Sequence, residues 1–234
     1  MTAPVPDRKL YKVVGANGES IHDGNLTWSL PTSDTPGAWI EATGDLKMCR
    51  VGLHLTDDPA KWMNPGARVF EAETEGERIA EAQEDKVCVR RARLVREIVG
   101  ADLAPLNIFV CAGSPMARAG AVFCSGTASP SIEVYGTASP RIVVYDTASP
   151  RIEVYGTASP RIEVYGTASP RIVVSDTASP RIEVYGTASP RIVVSDTASP
   201  RIEVYGTASP RIVVSDTASP RIEVYGTASP RIVV

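Results

Sequence analysis

The sequence predicts two unlike parts: a small α+β domain over residues 9–100, and an all-β solenoid of ten-residue repeats, about twenty residues per coil, over residues 126–234. Three observations carry this. The motif Thr-Ala-Ser-Pro recurs every ten residues from Thr127 to Thr227. Within each unit Ile and Val alternate with polar residues, the period of a half-buried strand. Every Lys, His, Trp, Cys and Phe of the 234-residue chain lies before residue 126, so the two parts have different compositions.

Residues 1–8 are rich in Pro, lack periodicity and read as a disordered N-terminus. Leu10-Tyr11-Lys12-Val13-Val14 is a strand ended by the turn signal Gly15-Ala16-Asn17-Gly18. Ser20 to Trp28 forms a second short strand or a loop, Pro31 to Gly37 a loop, and Ala38-Trp39-Ile40-Glu41 resumes an extended pattern. Cys49 to Thr56 alternates as a strand. Asp57-Asp58-Pro59-Ala60-Lys61-Trp62 then opens a helix, with an aspartate at its cap and proline in its first turn. Arg68 to Thr74 and Lys86 to Val95 are strands, and Leu94 to Ile98 begins a helix. Residues 101–125 join this domain to the repeat and cap its first coil.

In the repeat, Ile132 and Val134 give a strand one apolar face, as do Ile142 and Val144 in the next unit. Pro140 has no N–H and marks a corner or strand start. Ala138 lies in the turn, Arg141 opens the strand and Tyr135 closes one. One ten-residue coil is too tight to enclose side chains. Two variants alternate, so two units per coil face each other across a thin core, giving about 5.4 coils at roughly 4.8 Å each. Units with Glu in the strand (Glu133, Glu183) carry Gly at the corner; units with Val (Val143, Val193) carry Asp there (Asp146, Asp196). Each arginine-bearing unit therefore holds one acid, a ladder that offsets stacked arginines. Tyr135, Tyr155, Tyr165 and Tyr185 are candidates for an aromatic ladder. Glu153 and Glu163 fall in consecutive units, a phase slip that makes a two-strand coil swap its faces once. Near-identical units also arise by recent duplication, and their polar composition is compatible with disorder.

The formal net charge is −3, and neither part is basic enough for a nucleic-acid binder. No stretch approaches the ~20 apolar residues of a membrane span, and no apolar signal segment opens the chain, so a cytoplasmic protein is expected. Cys49, Cys88, Cys111 and Cys124 match no zinc spacing and read as free thiols. His22 and His54 are the only histidines; a Cys49–His54 or His22–His54 metal pair is the sharp reading, structural histidines the bland one. Glu71, Glu73, Glu75 and Glu77 share one strand face, either for acid–base work or as a solvated face. Arg90, Arg91, Arg93 and Arg96 form a basic cluster that nearby acids offset. No phosphate loop, dinucleotide fingerprint or nucleophile elbow is present. No catalytic, cofactor-binding or metal residue is assigned.

Tyr11-Lys12-Val13-Val14, Trp28, Cys49, Gly52-Leu53-His54-Leu55-Thr56 and Arg68-Val69-Phe70-Glu71-Ala72-Glu73 together resemble an uncharacterised N-terminal domain of actinobacterial and phage proteins, over about residues 9–97. That family often continues into short tandem repeats. The Gly-Leu-His-Leu-Thr strand also resembles a strand of ADP-ribosyltransferase-like folds, whose catalytic pattern is not recognisable in this chain. The Tyr-Gly-Thr steps resemble those of bacterial ice-nucleation repeats, but here a charged Arg row crosses each face. Two functions follow as expectations: a non-enzymatic head-and-stalk protein for spacing, display or self-association through the edge of its C-terminal repeat, or a ligand-binding or ADP-ribosyltransferase-like head with a passive tail.

Overall fold

The computed structural model describes residues 8–21, 25–64, 67–80, 85–110 and 120–234. The chain divides into two compact units, Met1–Leu106 and Asn107–Val234.

The first unit is built from strands β1 (Leu10–Val14), β2 (Ile40–Glu41), β3 (Leu53–Thr56), β4 (Arg68–Ala80) and β5 (Lys86–Ile98). β4 and β5 form a long antiparallel hairpin. β1 pairs with the outer edge of β4, β3 with β5, and β1 meets β3 at Tyr11↔Thr56, so four strands close into a ring. β2 extends β5 beside β3, through Ile40↔Ala92. The interior is filled by Val14, Trp28, Leu55, Phe70 and Leu94, all at most 2% exposed. Two register shifts bend the hairpin. One follows Glu75, where Gly76 adopts φ +78°, the left-handed conformation of a β-bulge.

The expected α+β class is corrected here: the described residues of this unit hold strands and two 3₁₀ segments, and no α-helix. The helix expected from Asp57 is one short 3₁₀ segment, Pro59–Trp62, and the Asp58 side chain does not cap it. The sequence Asn64-Pro65-Gly66 follows at once and leaves no room for a second turn. The helix expected from Leu94 is instead the end of β5, because Leu94 pairs with Ala72 and Ile98 with Val69. A tertiary partner decides where local propensity is weak.

The second unit begins with β6 (Ile108–Val110) and β7 (Ala121–Cys124). Then β8 (Ser131–Val134), β9 (Arg141–Val144), β10 (Arg151–Val154), β11 (Arg161–Val164), β12 (Arg171–Val174), β13 (Arg181–Val184), β14 (Arg191–Val194), β15 (Arg201–Val204), β16 (Arg211–Val214), β17 (Arg221–Val224) and β18 (Arg231–Val233) follow, one per repeat. Even-numbered strands from β8 to β18 make one parallel sheet. β17, β15, β13, β11, β9, β7 and β6 make the other. Every repeat strand pairs with the one twenty residues away, in register, as Ile152↔Ile132 and Ile162↔Ile182 show. The repeat is therefore a β-solenoid with twenty residues per coil.

Ile, Val and Ala fill its interior: Ile132, Val134, Ile142 and Val144 are fully buried, and Ala148 to Ala208 are fully buried at the corners. Alanine occupies this corner position in every repeat. Beyond the strands, Thr157, Ser159 and Arg161 donate to the carbonyls of Gly136, Ala138 and Pro140 at 3.0–3.1 Å. These donors are odd-numbered and every repeat proline is even-numbered, so Pro140 and its equivalents never stand where a bond to the preceding coil is required. An even period of ten preserves that parity along the whole rod.

Candidate functional site

The two faces of the solenoid carry different side chains because Glu and Val units alternate every ten residues while a coil takes twenty; the phase slip exchanges the two faces once. On the sheet ending in β17, the outward third position reads Val143, Glu163, Glu183, Glu203, Glu223. On the sheet ending in β18 it reads Glu133, Glu153, Val173, Val193, Val213, Val233. The swap lies at Glu153 and Glu163, as the sequence predicts.

On the first face, glutamates form a continuous row between arginines and tyrosines. Arg161 Nε meets Glu163 at 2.7 Å and its Nη2 meets Glu183 of the next coil at 2.8 Å. Arg181 and Arg201 repeat the pattern with Glu183, Glu203 and Glu223, at 2.6–3.2 Å. Arg141 starts it by reaching up to Glu163 at 2.8 Å. On the other side, Tyr165, Tyr185 and Tyr225 donate their hydroxyls to Glu163, Glu183 and Glu223. Their rings stack with Tyr205 in one column, centroids 4.8–4.9 Å apart. Glu163, Glu183 and Glu203 point outward yet are only 1–2% exposed, because the two flanking rows cover them.

Carboxylates about 5 Å apart repel by roughly 3 kcal/mol at an effective dielectric near 20, so the row needs arginines that touch two carboxylates each. Burial of Glu163 works against its charge. Hydrogen bonds from Arg141, the charges of Arg141 and Arg161, and the Tyr165 hydroxyl outweigh it and hold its pKa below the ordinary carboxylate value. The tyrosines shift the other way. The hydrogen bond to Glu203, then burial, push Tyr205 up to about 12. Tyr135 and Tyr155 stack on the opposite face at 5.8 Å, so Tyr155 and Tyr165 belong to separate columns.

The aspartate units depart from the expected charge pairing. Among the described residues no carboxylate pairs with Arg171, Arg191, Arg211 or Arg231. The aspartates serve the backbone instead. Asp146, Asp176, Asp196 and Asp216 all have φ between +57° and +60°, and the glycines at equivalent corners are also positive. The Gly/Asp alternation therefore keeps one left-handed corner, a conformation that Gly and Asp tolerate. Each Asp carboxylate also accepts the corner N–H of the preceding coil, as Gly156 N to Asp176 at 2.8 Å and Asp176 N to Asp196 at 3.1 Å. This backbone role was hidden in the sequence behind an apparent charge pairing.

In the first unit the acidic row and the basic cluster turn out to be partners. Glu71, Glu73, Glu75 and Glu77 on β4 pair with Arg96, Arg93, Arg91 and Arg90 on β5. Arg91 and Arg93 clasp the Trp39 ring at 4.7 and 4.6 Å. The row is a cross-strand charge ladder rather than an acid–base constellation. His22 lies outside the described residues. His54 Nε2 accepts the Cys49 backbone N–H at 2.8 Å. Among the described residues no three His, Cys, Asp or Glu side chains gather as a metal group. Cys49 and Cys88 are free, the first exposed and the second buried, whereas Cys124 is disulfide-bonded. The expectation of free thiols is corrected at Cys124, because spacing along a chain does not reveal which sulfurs a fold brings together. Cys111 lies outside the described residues.

Sequence reasoning missed a cavity of about 560 Å³ in this unit, between β1, β3 and the segments holding Trp28 and Trp62. Its only sequence signal was a scatter of lysines and tryptophans that share no spacing. No helix among the described residues is long and apolar enough to cross a membrane. Comparison of the chain with protein-family models, curated proteins and solved structures finds no match.

Proposed function

We propose that the chain is a non-enzymatic repeat protein in which the solenoid serves as a stiff stalk for spacing, display or self-association of its head unit. The carrying observation is the in-register stacking of side chains, with Ile on Ile, Glu on Glu and Tyr on Tyr from coil to coil. Such stacking gives a rod whose length is proportional to coil number and whose surface repeats at each coil. We place self-association at the outer edge of the last coil. There Val224, Tyr225, Ile232 and Val233 are 38–46% exposed and β18 has pairing on one side only among the described residues.

The test is a distance measurement between spin labels at Ser129→Cys and Ser229→Cys, both exposed and one hundred residues apart, with the free Cys49 and Cys88 replaced by Ser. In the stalk they stand five coils apart, about 24 Å, with a narrow distribution. A flexible chain of that length spans roughly 55 Å and broadly. Deleting residues 181–200 shortens the stalk value by about 5 Å. A broad distribution centred near roughly 55 Å defeats the reading; distance and width decide, because a flexible chain also shortens by about 6 Å on that deletion.

A further inference from the structure

The cavity of the first unit is lined by the cations Lys12, Arg50 and Lys86, with no carboxylate in its lining among the described residues. No ion pair forms to any of the three among the described residues. Lys12 Nζ donates to the His54 carbonyl at 3.0 Å and lies 5.5 Å from the Trp28 ring centre. Lys86 Nζ sits 4.3 Å over the Trp62 ring. Two ammonium groups are thus held against two aromatic walls. Asp85, next in sequence to Lys86, is not part of the lining: it is engaged by Trp62 Nε1 at 2.6 Å, Thr56 Oγ1 at 3.3 Å and Lys61 at 3.9 Å.

His54 adds no charge to the cavity. Its Nε2 is an acceptor for the Cys49 N–H, so the ring is neutral with its proton on Nδ1. Burial, then the charges of Lys12 and Lys86, keep its pKa below the ordinary value. Burial also pulls Lys12 down to about 8. Cations held in a concave site without a carboxylate are costly, and a ligand that supplies the missing negative charge offsets that cost. The volume suits a small organic molecule, and mixed aromatic walls with a few convergent polar groups are what such pockets present.

We propose that this cavity binds a small aromatic oxyanion, a phosphate or carboxylate carried on a flat ring. The oxyanion sits between Lys12 and Lys86, with Arg50 supplying a further cation. The ring lies against the Trp62 side of the cavity, since Trp28 is only 2% exposed. Charge selects the anion, and the aromatic surface selects against bare inorganic ions.

Calorimetric titration of the full chain with 1-naphthyl phosphate, 1-naphthoate and neutral 1-naphthol tests it. We expect saturable binding of at least one anion, with naphthol weaker by about tenfold or more. The stronger of the two anions identifies the oxyanion. Lys12→Met and Lys86→Gln each weaken binding by about tenfold, while Arg211→Gln, the same charge change in the solenoid, leaves it unaltered. Tryptophan emission reports whether each variant folds, because all three tryptophans lie in this unit. If Lys12→Met does not fold, Lys86→Gln and Arg50→Gln carry the comparison. Equal binding of naphthol and the anions, or no saturation by either anion up to roughly 10 mM, overturns the proposal.

Discussion

At the scale of the residue, the corner position shows how one backbone requirement is met by two side chains. Asp196 has φ +58°, its carboxylate takes the N–H of Asp176, and its own N–H goes to Asp216 at 3.3 Å. Asn keeps both the conformation and the acceptor. Gly keeps only the conformation, and Ala keeps neither. The expected order of stability at this site is Asp and Asn, then Gly, then Ala, with Asp196→Ala costing about 1–3 kcal/mol. Hydrogen exchange of the amides around 175–197 checks it: faster exchange in Asp196→Gly than in Asp196→Ala contradicts the order. A second residue prediction concerns Glu183, which meets Arg161, Arg181 and Tyr185. Glu183→Gln keeps the shape but leaves two arginines with one fewer anion. We expect a loss of about 2–4 kcal/mol, read as a lower thermal midpoint by far-UV circular dichroism. An unchanged midpoint would show that the row is covered but contributes no net stability. These roles were only half legible in the sequence. The covariation of Gly with Glu and Asp with Val was visible, but charge balance and backbone conformation predict the same alternation. Only the positive φ values separate them.

At the scale of the element, the Glu–Tyr face has a definite pH window. Hydrogen bonding to Tyr205, with Arg181 and Arg201 prevailing over burial, holds Glu203 below the ordinary carboxylate value; hydrogen bonds from Tyr225 and Arg221 do the same for Glu223. A lowered folded-state pKa stabilises the fold above the unfolded value near 4.5 and loses that contribution as pH falls below it. Tyr205 is raised to about 12, chiefly by its bond to Glu203. A raised tyrosine pKa stabilises the fold below the unfolded value near 10 and is lost as pH climbs from there to about 12. The thermal midpoint of the solenoid should therefore be flat from about pH 5 to about 10 and fall on both sides. A Tyr185→Phe, Tyr205→Phe double variant should lose part of the alkaline fall. An alkaline limb identical in the variant would assign it elsewhere. The elements themselves were unequally legible. A ten-residue period with alternating Ile and Val is a strong strand signal repeated eleven times, so noise averages out. In the head, Leu94 to Ile98 and Asp57 to Trp62 are short and ambiguous. The hairpin partner of one and the proline that follows the other decide them. The cavity was illegible because Lys12, Trp28, Arg50, Trp62 and Lys86 come from separate segments that only the closed ring of strands brings together.

At the scale of the whole molecule, a solenoid is held by contacts between neighbouring coils alone, so its stability is graded along the axis. Ile202 and Val204 are fully buried, but Val224 and Tyr225 are each 45% exposed and Ile232 is 46% exposed, and β17 and β18 are paired on one side only among the described residues. Amides of β17 and β18 should exchange fastest among the repeat strands. Appending one further twenty-residue coil after Val234 should slow them by an order of magnitude or more, as each gains a paired edge and a covered Ile–Val layer. The same measurement decides self-association. If the open edge pairs with a second copy, β17 and β18 in the unextended chain become protected as protein concentration rises, while β10 to β14 do not change. The appended coil would only move that edge outward, because its own strands present the same in-register backbone and the same Arg, Ile and Val. Concentration-dependent protection should therefore shift to the appended strands rather than vanish. Protection that is independent of concentration in both chains would leave the rod intact as a stalk and remove its edge as a contact between copies.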